Sequence, residues 1–86
     1  MESEFDERKS ASNKVKHGIN FIEAQELWSD TDRVEIAACD VDEPRFLVIG
    51  QINEKHWASV ITYREERVRV ISVWRARDEE VKKYEG

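Results

Sequence analysis

Phe46 to Trp74 reads FLVIGQINEKHWASVITYREERVRVISVW, and the fold is decided there. Three apolar stretches are separated by two short polar turns, Ile52-Asn53-Glu54-Lys55 and Arg64-Glu65-Glu66. Phe46 to Ile52 is mostly apolar, the mark of a more buried strand. Trp57 to Tyr63 is expected to alternate between the two faces of a strand, and Val68 to Trp74 is rich in β-branched side chains, which fit a pleated surface. Turns this short can only reverse the chain, so neighbouring strands must pair antiparallel. Just upstream, Val34, Ile36 and Ala38 alternate with Glu35 and Ala37, which adds a fourth strand. Pro44, the single proline, falls at a strand start, where a missing N–H is tolerated.

Toward the N-terminus the period lengthens from two residues to between three and four. Glu7 to His17 predicts a helix with Asp6 as its N-cap and Lys14, Lys16 and His17 at its C-terminal end, as the helix dipole prefers. Gly18 supplies the left-handed position that ends it. Its apolar face is thin, Ala11 and Val15, so the helix depends on docking. Asn20 and Glu23 have capping-box spacing and open a second helix, with Ile19 placed to staple against Ala24. Phe21, Ala24, Leu27 and Trp28 then form a core-facing stripe. At the other end, Asp78 is placed to cap a short final helix that runs to about Tyr84 and turns Val81 and Tyr84 to the sheet. The expected fold class is α+β: two N-terminal helices, a four-stranded antiparallel sheet and a short C-terminal helix in a single domain, 1–86. Helices on one side of such a sheet leave its other face open unless a partner covers it.

Composition limits what this domain can do. A chain of 86 residues has a modest core and gains from a partner. One cysteine, Cys39, excludes an internal disulfide and fits a reducing compartment. The acidic opening from Met1 to Asp6 shows no secretory signal, and Phe46 to Ile49, the longest apolar run, cannot span a bilayer; a cytoplasmic, membrane-free protein is expected. The net charge is −5, but it is unevenly spread. Asn20 to Glu43 holds eight acids against Arg33, a balance of −7, whereas Arg64 to Arg77 holds five arginines against Glu65 and Glu66, a balance of +3. Lys14 and Lys16 form a second basic spot.

Elimination narrows the chemistry. His17, Cys39 and His56 have no ligand spacing, so no metal is expected. Gly18, Gly50 and Gly86 are too scattered for a phosphate-cradling loop, and no cofactor is indicated. Nothing brings His17 to Cys39 or Ser59 as a nucleophile's base. Arginine remains. Arg67 and Arg69 share strand parity and so one face, Arg64 lies in the turn before them, and Arg75 shares their parity at the far end. Forked permanent cations suit phosphate oxygens and the extra charge of a pentacoordinate transition state. RNA carries its own nucleophile, the 2′-hydroxyl, so cleavage of this kind needs no metal. The competing reading is ion pairing of these arginines with Glu65, Glu66 or other surface acids. His17 is either a carbonyl cap or a general base or phosphate ligand. Phe21 and Trp28 read as core. Trp57 and Trp74 can be core, base-stacking or partner-facing.

Four short words in order resemble one family. Glu4-Phe5-Asp6-Glu7 with Lys9, then Asn13 and Lys16-His17-Gly18-Ile19 with Phe21, Glu23 and Ala24, then Glu43 to Gly50, and finally Arg67 to Ser72 with Arg75-Ala76, Glu80 and Tyr84-Glu85 resemble the BrnT toxins of type II toxin–antitoxin systems, whose domain is similar to RelE-like ribonucleases. The resemblance implies a metal-independent endoribonuclease that inhibits translation. It also implies a cognate ribbon-helix-helix antitoxin, BrnA-like, through which the pair would touch DNA only indirectly. Carried over, it puts Arg64, Arg67, Arg69 and Arg75, with Lys16 and His17, at the RNA site. We expect His17, Arg64, Arg67 and Arg69 to be catalytic, and Lys14, Lys16, Tyr63, Trp74 and Arg75 to bind RNA. The family commonly has glutamate at the position of Tyr63, glycine at Glu65 and arginine at Trp74. A RelE-like fold decayed into a non-catalytic antitoxin partner is the alternative. The antitoxin is expected to pack on the open sheet face over the arginines.

Overall fold

The computed structural model describes residues 3–39 and 44–86. Glu43, expected at the start of a strand, lies outside them. Five strands form one sheet in the order β1-β5-β4-β3-β2, with β1 Ser3–Glu4, β2 Val34–Cys39, β3 Arg45–Ile52, β4 Lys55–Arg64 and β5 Arg67–Arg75. The four long strands form the expected antiparallel meander. The α+β class and the run of helix, helix, four strands, helix stand. β1 is an addition that alternation could not reveal, because two residues carry no period; it pairs parallel with β5, Ser3 to Val68 and Glu4 to Arg69.

Helix α1 spans Glu7–His17 and is closed at both ends as expected. The Asp6 carboxylate accepts from the N–H groups of Arg8 and Lys9, and Gly18 adopts φ 78°. Its docked face differs from expectation. Val15 is 87% exposed and Ala11 is exposed, while Ser10 and Asn13 are buried. Polar side chains bury here because each meets a backbone group that would otherwise lack a partner. Ser10 Oγ accepts from Phe21 N at 2.9 Å, and Asn13 Nδ2 donates to the carbonyls of Ile19 and Val73, both at 2.8 Å.

Helix α2, Phe21–Ala24, opens with the Asn20–Glu23 capping box and continues as a 3-10 segment, Gln25–Ser29. Phe21, Ala24 and Ile19 join Val48, Ile61, Val68, Val70 and Val73 in one core cluster against the sheet, with Trp28 and Trp57 packed at its margin. The 3-10 segment lies so close to β3 that a Cβ on Gly50 would sit 3.1 Å from Leu27 Cδ2. Helix α3, Asp78–Glu85, covers part of the opposite face: Trp74 Nε1 donates to Glu80 at 3.1 Å, and the His56 and Tyr84 rings meet edge to face at 5.0 Å. Its N-cap is Arg77, with Asp78 one residue inside the helix, because Glu80 reaches back to accept from Arg77 N at 2.8 Å. The second face is therefore half closed by the chain itself.

Candidate nucleic-acid interface

β4 runs without interruption through its pairing with β3, so alternate residues on it define the two faces. Phe46 and Ile61 pair on the face that carries α1 and α2. One residue outward, Arg45 and Thr62 therefore stand together on the opposite face, and Thr62 pairs onward with Arg69, itself beside Glu4. This gives a row across four strands, Arg45, Thr62, Arg69, Glu4, with Arg45 and Arg69 about 10 Å apart at two inter-strand spacings. Arg64 and Arg67 pair two residues further out, on the same face. Four guanidinium groups thus share one end of the sheet. Inward from them the same face presents the half-buried, directly cross-paired Ile36, Leu47 and Val60.

The cations here are not bare. Arg69 Nη1 lies 3.7 Å from Glu4 Oε1, with both side chains about one-third exposed. Arg64 and Arg67 are likewise engaged in interactions. Their hairpin is strained, since Glu65 and Glu66 hold φ 47° and 69° without being glycine.

Arg75 does not belong to this face. Val60 pairs with Ser72 but Ile61 pairs with Val70, so Ile71 is an extra residue on β5. Such a bulge inverts the alternation beyond it. Arg75 consequently pairs with Trp57, on the helix-covered face, and its guanidinium sits 5.8 Å from the Trp57 ring centroid. A count of parity along the sequence cannot detect the inserted residue.

The other expected residues disperse similarly. Asn13 bonds to Val73, and Gly18 lines the same cavity as Trp57, so the end of α1 lies at the Arg75 end of β5. His17 and Lys16 are exposed there, about 20 Å along the strand from Arg69. Lys14 Nζ is 2.8 Å from Glu23 Oε1. Trp74 faces the arginine side but lies under α3, bonded to Glu80 and flanked by Arg77 at 5.9 Å. Tyr63 faces the helix side; its hydroxyl donates to Glu35 Oε1 at 2.6 Å, and burial, reinforced by that carboxylate, pushes its pKa up to about 12. The side chain of Cys39 lies outside the described set. Sequence reading missed Arg45, which stands alone in the sequence and joins the other arginines only through strand register.

Among the described residues, no group of three or more His, Cys, Asp or Glu side chains could hold a metal ion, and no helix there is long and apolar enough to cross a membrane. A family model described as ribonuclease toxin, BrnT, of type II toxin-antitoxin system matches residues 5–80. The chain belongs to the BrnT family. Comparison with curated proteins gives no match. The matched span takes in both N-terminal helices, the four-stranded meander and the start of α3. A type II system pairs its toxin with an antitoxin, so membership of the family implies a protein partner for this chain.

Proposed function

We propose that this BrnT chain is a metal-independent endoribonuclease toxin that works through its arginine face, inhibits translation, and is neutralised in the cytoplasm by a ribbon-helix-helix antitoxin. The observation that carries the reading is the row of Arg45 and Arg69 flanking Thr62, with Arg64 and Arg67 one step beyond. Guanidinium groups at this spacing grip the phosphates on either side of a scissile bond and neutralise charge as the 2′-oxygen attacks phosphorus and the P–O5′ bond breaks. The 2′-hydroxyl proton passes to solvent, and the departing 5′-oxygen takes one up from it. No protein nucleophile is required. His17 stands at the other end of the domain, so Arg45, Arg64, Arg67 and Arg69 take the transition-state role and Lys16, His17 and Arg75 are contacts along the bound strand.

The antitoxin's seat in this reading is the same sheet face. Ile36, Leu47 and Val60 offer apolar area beside the arginines, and an acidic, amphipathic segment would bury the one while pairing with the other. The test is cleavage of a mixed RNA by the purified protein in excess chelator, beside Arg69→Ala and Arg45→Ala. Activity should persist without metal and fall about 100-fold in each variant, the usual consequence of losing one transition-state donor. Full activity in both variants would remove the arginine row from the mechanism.

A non-catalytic partner module is favoured by one observation: Tyr63 and Trp74 are both committed to internal carboxylates, Glu35 and Glu80. Under that reading the purified protein leaves RNA intact yet still binds its antitoxin.

A further inference from the structure

A cavity of about 530 Å³ opens at the end of the domain remote from the arginine row, lined by Gly18, Ile19 and Ile22, by Glu23 and Glu26, and by Ile52, Asn53, Lys55 and Trp57. Its size is that of a small-molecule site. Three features of its lining bear on what it could hold. Ile22 is 64% exposed at its rim. The Trp57 ring is only half-buried and carries the Arg75 guanidinium at 5.8 Å. The β3–β4 turn forming one wall holds Asn53 and Glu54 at φ 51° and 68°, and Asn53 and Lys55 belong to the lining.

We infer that this cavity is a subsite for one unpaired guanine base of a single-stranded RNA. The inference rests on the ribonuclease reading for its polymer and adds the base that the protein reads. Apolar side chains and a tryptophan ring accept the flat face of a base, which is how single strands are bound without a complementary strand. Cations stand where its flanking phosphates would run: Lys55 in the lining, Arg75 on the tryptophan, and the exposed Lys16 near the end of α1.

The carboxylates choose the base. Glu23 Oε1 already accepts from Lys14 Nζ at 2.8 Å and from Asn20 N at 3.0 Å. The exposed Glu26 carboxylate in the same lining is the acceptor. Guanine alone presents two adjacent donors, N1–H and the N2 amino group, to a carboxylate's two oxygens. Adenine and cytosine set a lone pair beside their single amino group, and uracil sets carbonyl oxygens on both sides of its one N–H; each repels the carboxylate. The Asn53 amide suits guanine O6. Lying about 20 Å along β5 from Arg69, and on the other face, the subsite reads a base several nucleotides from the cut.

The experiment uses 2′-O-methyl pentanucleotides, which cannot be cleaved, with uracil throughout except for a central guanine, adenine or uracil. Binding to the whole chain is followed by the indole N–H resonance of Trp57 and the amides of Gly18, Ile22 and Asn53. The guanine oligomer should bind about 10-fold tighter than the other two and shift those signals. Trp57→Leu keeps an apolar side chain without the π face and should weaken binding of every oligomer about 10-fold. Glu26→Gln, a surface change, should erase the guanine preference. Unmoved Trp57 signals, or equal binding of the three oligomers by the parent, would overturn the subsite even if the protein cuts RNA. Guanine-selective binding by a protein that leaves RNA intact would instead overturn the ribonuclease reading and keep the subsite.

Discussion

Asn13→Ala should be among the most damaging substitutions outside the apolar core. The Asn13 side chain is 94% removed from solvent and does the work of a missing strand. β1 ends at Glu4 and pairs with Val68 and Arg69, so among the described residues no strand lies beside the outer edge of β5 at Val73. Asn13 Nδ2 donates to Val73 O and to Ile19 O, each at 2.8 Å, and Oδ1 receives Val73 N at a longer 3.4 Å. Alanine removes two good bonds at about 1 kcal/mol each and leaves buried backbone groups unpaired at about 1–3 kcal/mol more. Allowing for partial relaxation, we expect a loss of about 2–4 kcal/mol. A domain of this length has roughly 4–13 kcal/mol in total. Each kcal/mol moves Tm by about 4–8 °C at this size, so the melting temperature followed by circular dichroism should fall by roughly 8–32 °C. Val15→Ala, on the same helix at an 87% exposed position, is the control and should stay within about 0.5 kcal/mol. If Asn13→Ala melts alongside that control, the edge-capping argument is wrong.

The protein has two tyrosines, and both are held neutral well above pH 10. Tyr63 is pushed up to about 12 by burial with the Glu35 bond behind it, and Tyr84 to about 12 by its bond to Asp30 with burial second. A raised acid favours the folded state below the ordinary pKa of 10.0, and the benefit disappears as pH rises through the folded value. At pH 10.5 the folded protein should show almost no tyrosinate absorbance at 295 nm while the denatured chain shows most of it; equal absorbance would refute the two bonds. At the acid end, burial raises Asp30, but bonds from Gln51 N, Tyr84 and Asp32 N outweigh it, so its carboxyl lies below the usual range. The stability this brings should be present above pH of about 4 and be lost as pH falls further, read as a falling urea midpoint. The Glu65-Glu66 turn invites relief of strain: Glu65→Asn with Glu66→Gly suits two left-handed positions and should add about 1 kcal/mol, or about 4–8 °C in Tm. No gain would mean that the strain is offset by contacts the glutamates make.

Local chemistry was legible in the sequence because its causes are local. Asp6, Gly18, Asn20 and Glu23 bound their helices by bonds reaching two to four residues, and the short polar turns at Asn53-Glu54 and Glu65-Glu66 reverse the chain between strands. The BrnT words at Lys16-His17-Gly18-Ile19 and Arg67 to Ser72 were legible for the same reason, as short strings of residues. What joins distant segments was not. The Ile71 bulge, a matter of how β5 meets β4, sent Arg75 to the far face. Register alone brought Arg45 beside Thr62 and Arg69, and the two-residue β1 placed Glu4 against Arg69. Ser10 and Asn13 were buried in place of Ala11 and Val15 because the backbone of other elements had donors and acceptors to satisfy, a demand that no single segment displays. A candidate site made of side chains from several strands is set by pairing, and pairing is a property of the folded whole.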